Sequence, residues 1–93
     1  MREIKYTAQL KRDYRKLKSG RYAKKFDGWL METVTMLVAD TPLPPRFYDH
    51  ALVGEWADHR DCHVRPDLVL IYRKPNDTTL ELVRFGSHSE LGL

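Results

Sequence analysis

The chain holds a single cysteine, which excludes an internal disulfide and fits a reducing compartment, so a cytoplasmic protein is expected. No apolar run approaches the roughly 18 residues of a membrane span. The opening stretch MREIKYTAQLKRDY lacks the apolar core of a signal peptide. Glycine is sparse, five residues in all, and none belongs to a phosphate-cradling loop or a G-x-S-x-G elbow. Acidic residues are scarce in the first 25 positions, where two stand against ten Lys/Arg. Positions 26–93 reverse the balance, with six basic residues against eleven acidic ones. That asymmetry directs the N-terminal quarter toward a polyanion.

What is present suffices for one domain spanning residues 1–93. The apolar fraction is 42%, with ten aromatics, in a chain that buries roughly 60–70% of its unfolded surface. EIKY alternates polar and apolar, as a short opening strand does. Thr7 is placed to cap a helix over residues 8–18. Its apolar stripe is Leu10, Tyr14 and Leu17, and Lys11, Arg12, Arg15, Lys16 and Lys18 cover the other faces. Ser19-Gly20 ends it. A second helix over residues 22–39 buries Tyr22, Phe26, Trp29, Leu30, Thr33, Val34 and Leu37, and the pair should form an antiparallel hairpin. Prolines then stop the helix and begin a loop over residues 41–56, anchored by Phe47, Leu52 and Trp56.

Three antiparallel strands complete the chain, over residues 59–65, 68–74 and 79–85, with turns at Arg65-Pro66-Asp67 and Pro75-Asn76-Asp77. LVLIYRK is apolar on both faces, as a central strand is. Gly86 ends the last strand, and residues 87–91 form a short tail or single turn. The expected class is α+β in the order β-α-α-β-β-β, a helical hairpin on a twisted, mainly antiparallel sheet.

Residues 49–72 gather three of the four histidines, four aspartates, two arginines and the cysteine. Alternation places Cys62 and Val64 on one face of the strand, suited to burial. His59, Asp61, His63 and Arg65 take the other, which reads as an open face. Zinc is disfavoured there. Cys62 and His63 point to opposite faces, and His59 and His63 lie about 13 Å apart on a strand. A Cys–His nucleophile fails by the same geometry, and no metal or other cofactor is expected. The inventory suits metal-free RNA cleavage instead. A ribose 2′-hydroxyl attacks the neighbouring phosphorus, a base takes its proton, a cation steadies the charge and an acid protonates the departing 5′-oxygen. His50, His63, His88, Asp61, Asp67, Arg65 and Arg84 offer each part.

Four motifs run along the chain: D-H-x-L-x-G-x-W (Asp49, His50, Leu52, Gly54, Trp56), R-D-x-H-V-x-P-D (Arg60, Asp61, His63, Val64, Pro66, Asp67), L-I-Y (Leu70 to Tyr72) and R-x-G-S-H (Arg84, Gly86, Ser87, His88). In combination and order they resemble the YafQ branch of the RelE/ParE toxin superfamily. The resemblance implies a RelE-like microbial RNase fold and a ribosome-dependent mRNA endonuclease that cuts codons in the ribosomal A site. It also implies neutralisation by a DinJ-like antitoxin, whose N-terminal half is a ribbon-helix-helix DNA-binding dimer, in a toxin–antitoxin hetero-oligomer.

Carried over by residue, the catalytic set is His50, Asp61, His63, Asp67 and His88, with Arg65 and Arg84 stabilising the charged transition state. His88 is the expected acid, and His63 the expected base, oriented by His50 and the aspartates. Lys11, Arg12, Arg15, Lys16, Lys18, Lys24 and Lys25 would lie against ribosomal RNA, gripping phosphates without reading sequence. One departure stands out. The family often carries an aromatic just after the last histidine, whereas this tail reads Leu91-Gly92-Leu93, so a stacking surface for a base must come from elsewhere. Two other functions fit the same fold. A ParE-like gyrase inhibitor would act by binding alone and would not need these histidines, and an RNA-binding module would show no turnover.

Overall fold

The computed structural model describes residues 1–20 and 23–93. In chain order the elements are β1 (Glu3–Tyr6), α1 (Ala8–Lys18), α2 (Phe26–Val38), β2 (His50–Ala51), β3 (Arg60–Arg65), β4 (Leu68–Asn76), β5 (Thr79–Gly86) and α3 (His88–Leu91). Two 3₁₀ turns, Pro45–Phe47 and Gly54–Trp56, flank β2. The five strands lie in the order β1-β5-β4-β3-β2. β1 runs parallel to β5, and every other pairing is antiparallel. This is the α+β arrangement the sequence predicts, with β4 in the middle. Residues Leu68 to Tyr72 are all buried, because β4 has cover on both faces.

Thr7 fixes the start of α1 and its place on the sheet. Its hydroxyl accepts from the Leu10 amide at 3.0 Å and donates to the Val83 carbonyl at 2.7 Å. The main core lies between the helices and the sheet, where Leu10, Phe26, Val34 and Leu37 meet Leu70, Leu80 and Phe85. Phe26 is fully buried, packed edge-on to Phe85 at 5.1 Å and against Tyr14 at 5.6 Å. Truncating such a side chain to alanine costs about 3–5 kcal/mol. A smaller cluster on the opposite face joins Val69, Ile71 and Val83 to Leu91 of α3, with Leu52 and Trp56 packed against it. Among the described residues no helix is long and apolar enough to cross a membrane.

Several boundaries differ from the sequence reading. The second helix begins at Phe26 and ends at Val38; the expected start at Tyr22 lies outside the described residues. β3 begins at Arg60, one residue later than expected. β4 continues through Pro75 to Asn76, so the hairpin turn is Asp77-Thr78. Pro75 is tolerated because the ladder is already irregular between Arg73 and Asn76. The loop over residues 41–56 is anchored as expected, Phe47 being buried and Leu52 and Trp56 half-buried. It also holds β2, whose two residues are too few for alternation to reveal. The largest departure concerns the face thought to be open. Asp61 is 1% exposed, because α3 and the loop close over that side of the sheet.

Candidate active site

The covered face carries the chemistry. β2 pairs antiparallel with β3 so that His50 lies directly opposite Asp61. Asp49 holds this pairing in place. Its carboxylate accepts from the Tyr72 hydroxyl at 2.6 Å and from Arg60 Nε at 3.2 Å, clamping the incoming loop to β4 and β3. His50 Nδ1 lies 2.8 Å from the Tyr48 carbonyl and 2.9 Å from Asp61 Oδ1. Two acceptors at one nitrogen keep the proton there, which leaves the lone pair on Nε2. The hydrogen is directed at the carbonyl, so Asp61 Oδ1, buried, receives no well-aligned hydrogen bond. Burial raises the Asp61 carboxyl above the usual carboxylate range, and the nearby His50, His63 and His88 pull it back in part.

His63 follows Asp61 by two residues on β3 and shares its face. Its ring lies 4.7 Å from that of His88 and 5.4 Å from that of Tyr48. His88 is the first residue of α3, whose position is set by a reciprocal cap. The Glu90 amide donates to Ser87 Oγ at 3.2 Å, and the Ser87 amide donates to Glu90 Oε1 at 2.9 Å. Lys16 of α1 reaches the other Glu90 oxygen at 2.7 Å. Together these hold the Glu90 carboxyl down at about 2, with the Lys16 hydrogen bond the largest cause. Gly86 permits the close fold-back, since a Cβ there would stand 3.2 Å from Glu90 Oε1. His50, Asp61 and His88 border a cleft of about 530 Å³ whose apolar wall includes Leu52, Trp56 and Leu91. A larger groove of about 690 Å³ lies between α1 and α2, lined mostly by apolar residues and by no histidine.

The remaining expected site residues are placed differently. A bulge between His63 and Arg65 breaks the alternation, and the Arg65 guanidinium stacks 4.3 Å over Trp29 of α2, toward the helical side. Arg84 forms a fork with Asp13 of α1, at 2.8 and 3.2 Å, and the same carboxylate accepts from the Phe85 amide at 3.0 Å. Its guanidinium therefore pins α1 to the end of β5. Asp67 is exposed in the turn between β3 and β4. His59, grouped with His63 by alternation, precedes β3 and sets its ring edge-on to Trp56 at 5.4 Å. Lys11, Arg12, Arg15, Lys16, Lys24 and Lys25 are exposed, while Lys18 is half-buried and bound to Asp27 at 2.7 Å. Sequence reasoning missed Tyr48, Asp13 and Glu90 as site-building residues. For Glu90 a signal existed, since S-x-x-E is the pattern of a capping box.

Among the described residues no three His, Cys, Asp or Glu side chains are grouped so as to hold a metal ion. His50, Asp61 and His88 at the cleft, with His63 against the His88 ring, form a set of groups suited to proton transfer.

The chain is similar to known proteins over nearly its whole length. The chain is 41% identical over 91 residues to the mRNA interferase toxin YafQ of Escherichia coli K12, covering 97% of this chain and 95% of that one. Its fold superposes on YafQ in the E. coli DinJ–YafQ complex with a TM-score of 0.83, at 35% identity over 98% of each chain. A metal-bound toxin from Helicobacter pylori matches with a TM-score of 0.82 and 41% identity, over 98% of this chain and 99% of that one. The family model for YafQ, the bacterial toxin of a type II toxin–antitoxin system, matches residues 2–92. The chain belongs to the YafQ toxin family.

Proposed function

We propose that this protein is a cytoplasmic, ribosome-dependent mRNA endonuclease, its 93 residues acting as one toxin domain that a DinJ-like antitoxin neutralises. The observation that carries the reading is the convergence of His50, Asp61 and His88 on one cleft, with the His63 ring set against His88. Nε2 of His50 takes the proton of a ribose 2′-hydroxyl, because its Nδ1 hydrogen already goes to the Tyr48 carbonyl beside Asp61. The 2′-oxygen attacks phosphorus, the bond to the 5′-oxygen breaks, and His88 donates a proton to that leaving oxygen. The products are a 2′,3′-cyclic phosphate and a 5′-hydroxyl.

This assignment gives His50 the base role that the sequence suggested for His63. Lying between Tyr48 and His88, His63 instead steadies the phosphorane by hydrogen bonding. It takes over the part expected of Arg65 and Arg84, which face Trp29 and Asp13. Asp61 orients the imidazoles, and Asp67 contacts the substrate from the mouth of the β3–β4 turn. The exposed cations of α1 and of residues 24–25 meet ribosomal phosphates, and alignment borrowed from the ribosome compensates for a site with few base contacts.

The test is cleavage of a labelled message on programmed ribosomes. Cuts in the A-site codon with 5′-hydroxyl ends are expected. His50→Gln and His88→Gln should each lose on the order of 10²–10⁴-fold in rate, and double variants that still cut at the native rate would overturn the assignment. Because one relative was determined with bound metal, a chelator selective for transition metals belongs in the assay, with magnesium kept at the ribosomes' requirement. Activity should be unchanged, and its loss would revive a metal mechanism.

A further inference from the structure

The Tyr48 side chain, unlike its carbonyl, has no place in the catalytic scheme above, yet its position is unusual in two ways. The residue is 69% exposed, and its backbone is left-handed, at φ 47° and ψ 42°, a conformation costly for a bulky side chain. The fold imposes that backbone for a visible reason. Phe47 is buried just before it, and the Tyr48 carbonyl turns to receive His50 Nδ1 at 2.8 Å. The ring itself contributes little to the fold. Its aromatic neighbour is the imidazole of His63 at 5.4 Å.

An exposed tyrosine is commonplace, so location must decide. Among the described residues one other tyrosine is comparably exposed, Tyr6, and it lines the groove between α1 and α2. The Trp56 indole is half-buried against the second core cluster and engaged with His59. Residues 89–93 include no aromatic. Tyr48 is thus the open ring at the imidazole cluster.

We infer that Tyr48 is the stacking platform for an unpaired RNA base, that of the nucleotide whose 2′-hydroxyl attacks. This rests on the proposed cleavage chemistry for its choice of nucleotide. The Tyr48 carbonyl binds the His50 imidazole that takes the 2′ proton, and the ring flanks His63. His88, which serves the departing oxygen, is the other ring neighbour of His63. The ring therefore stands on the 5′ side of the scissile bond. A tyrosine face accepts any base, but the larger purine surface stacks more strongly, so a purine is preferred there.

The experiment separates ring from backbone. Tyr48→Asn and Tyr48→Gly keep a residue that tolerates the left-handed conformation, and with it the carbonyl at His50, while removing the ring. Tyr48→Phe and Tyr48→Trp keep a ring. On programmed ribosomes the ringless variants should lose roughly five- to hundred-fold in kcat/KM and should lose the purine preference at that position; the ring-bearing variants should retain both.

A second readout needs no cleavage. With His88→Gln in place, 2-aminopurine at that position of a ribosome-bound message should be quenched by native Tyr48 and by Tyr48→Phe, and should brighten in Tyr48→Asn. Unchanged kcat/KM, base preference and fluorescence in both ringless variants would overturn the inference while leaving the endonuclease reading intact. If the native protein cuts no message, the endonuclease reading fails, and the fluorescence alone decides whether the ring stacks a base.

Discussion

Single residues in this protein are tuned by what surrounds them. His50 is an exposed imidazole made directional by two acceptors at Nδ1, whereas Cys62, its neighbour in the chain's most reactive stretch, is sealed. Cys62 is 0% exposed, and burial pushes its thiol far above the usual range, so alkylating reagents should leave the folded protein untouched and react only on unfolding. Mass spectrometry of native and denatured samples checks this, and modification of the native form would contradict the packing. Cys62→Ser should leave turnover per folded molecule unchanged, at a cost near 1–3 kcal/mol in stability for an imperfectly paired buried hydroxyl. The opposite pattern holds for His88, half-buried on a short terminal helix. His88→Ala should abolish cutting while thermal stability and antitoxin binding stay close to native.

At the scale of elements, the decisive device is α3, four residues long and too short to be stable alone. It holds its place through Leu91 in the second core cluster, the Ser87–Glu90 cap and the Lys16–Glu90 pair. The sign of its pH dependence follows from Glu90. Its carboxyl is depressed from 4.5 to about 2, so the stabilisation is present above the unfolded value and is lost as pH falls from about 4.5 through about 2. Amide exchange at Ser87, corrected for its intrinsic pH dependence, should therefore lose protection across that window. Constant protection down to the lower limit would contradict the cap. At neutral pH, Glu90→Gln should lower cleavage several-fold by loosening His88. It should hardly move the melting temperature, since water screens an exposed pair.

Much of this level was legible in the sequence. The Thr7 cap, the doubly apolar β4 and the burial of Cys62 all follow from local pattern. β2 was not legible, because a two-residue strand has no period. Nor was the cover over Asp61, which depends on where Leu52, Trp56 and Leu91 land in three dimensions. Alternation also misplaced Arg65, since one bulge reverses every inference beyond it. The partner of Arg84 was not legible for a different reason: Asp13 lies 71 positions away in the chain.

For the whole molecule, the two faces of the sheet divide the labour. One face packs on α1 and α2, whose outer surface carries the cations; the other carries Asp61 and His63 on β3, with His50 and His88 on the loop and α3 that cover it. Reversing charge at Lys11, Arg12 and Arg15 should weaken ribosome co-sedimentation and flatten its dependence on salt. Binding unchanged in both respects would remove α1 from the docking surface.

The central claim, that these imidazoles act together on one phosphodiester of a message being translated, is tested most directly by mapping 5′ ends. Brief induction in cells, with and without a block of translation, gives the comparison. The account predicts 5′-hydroxyl ends phased to codons, lost when translation is blocked and absent for His50→Gln and His88→Gln. Unphased ends that persist under the block, or phased ends that survive both substitutions, would contradict it.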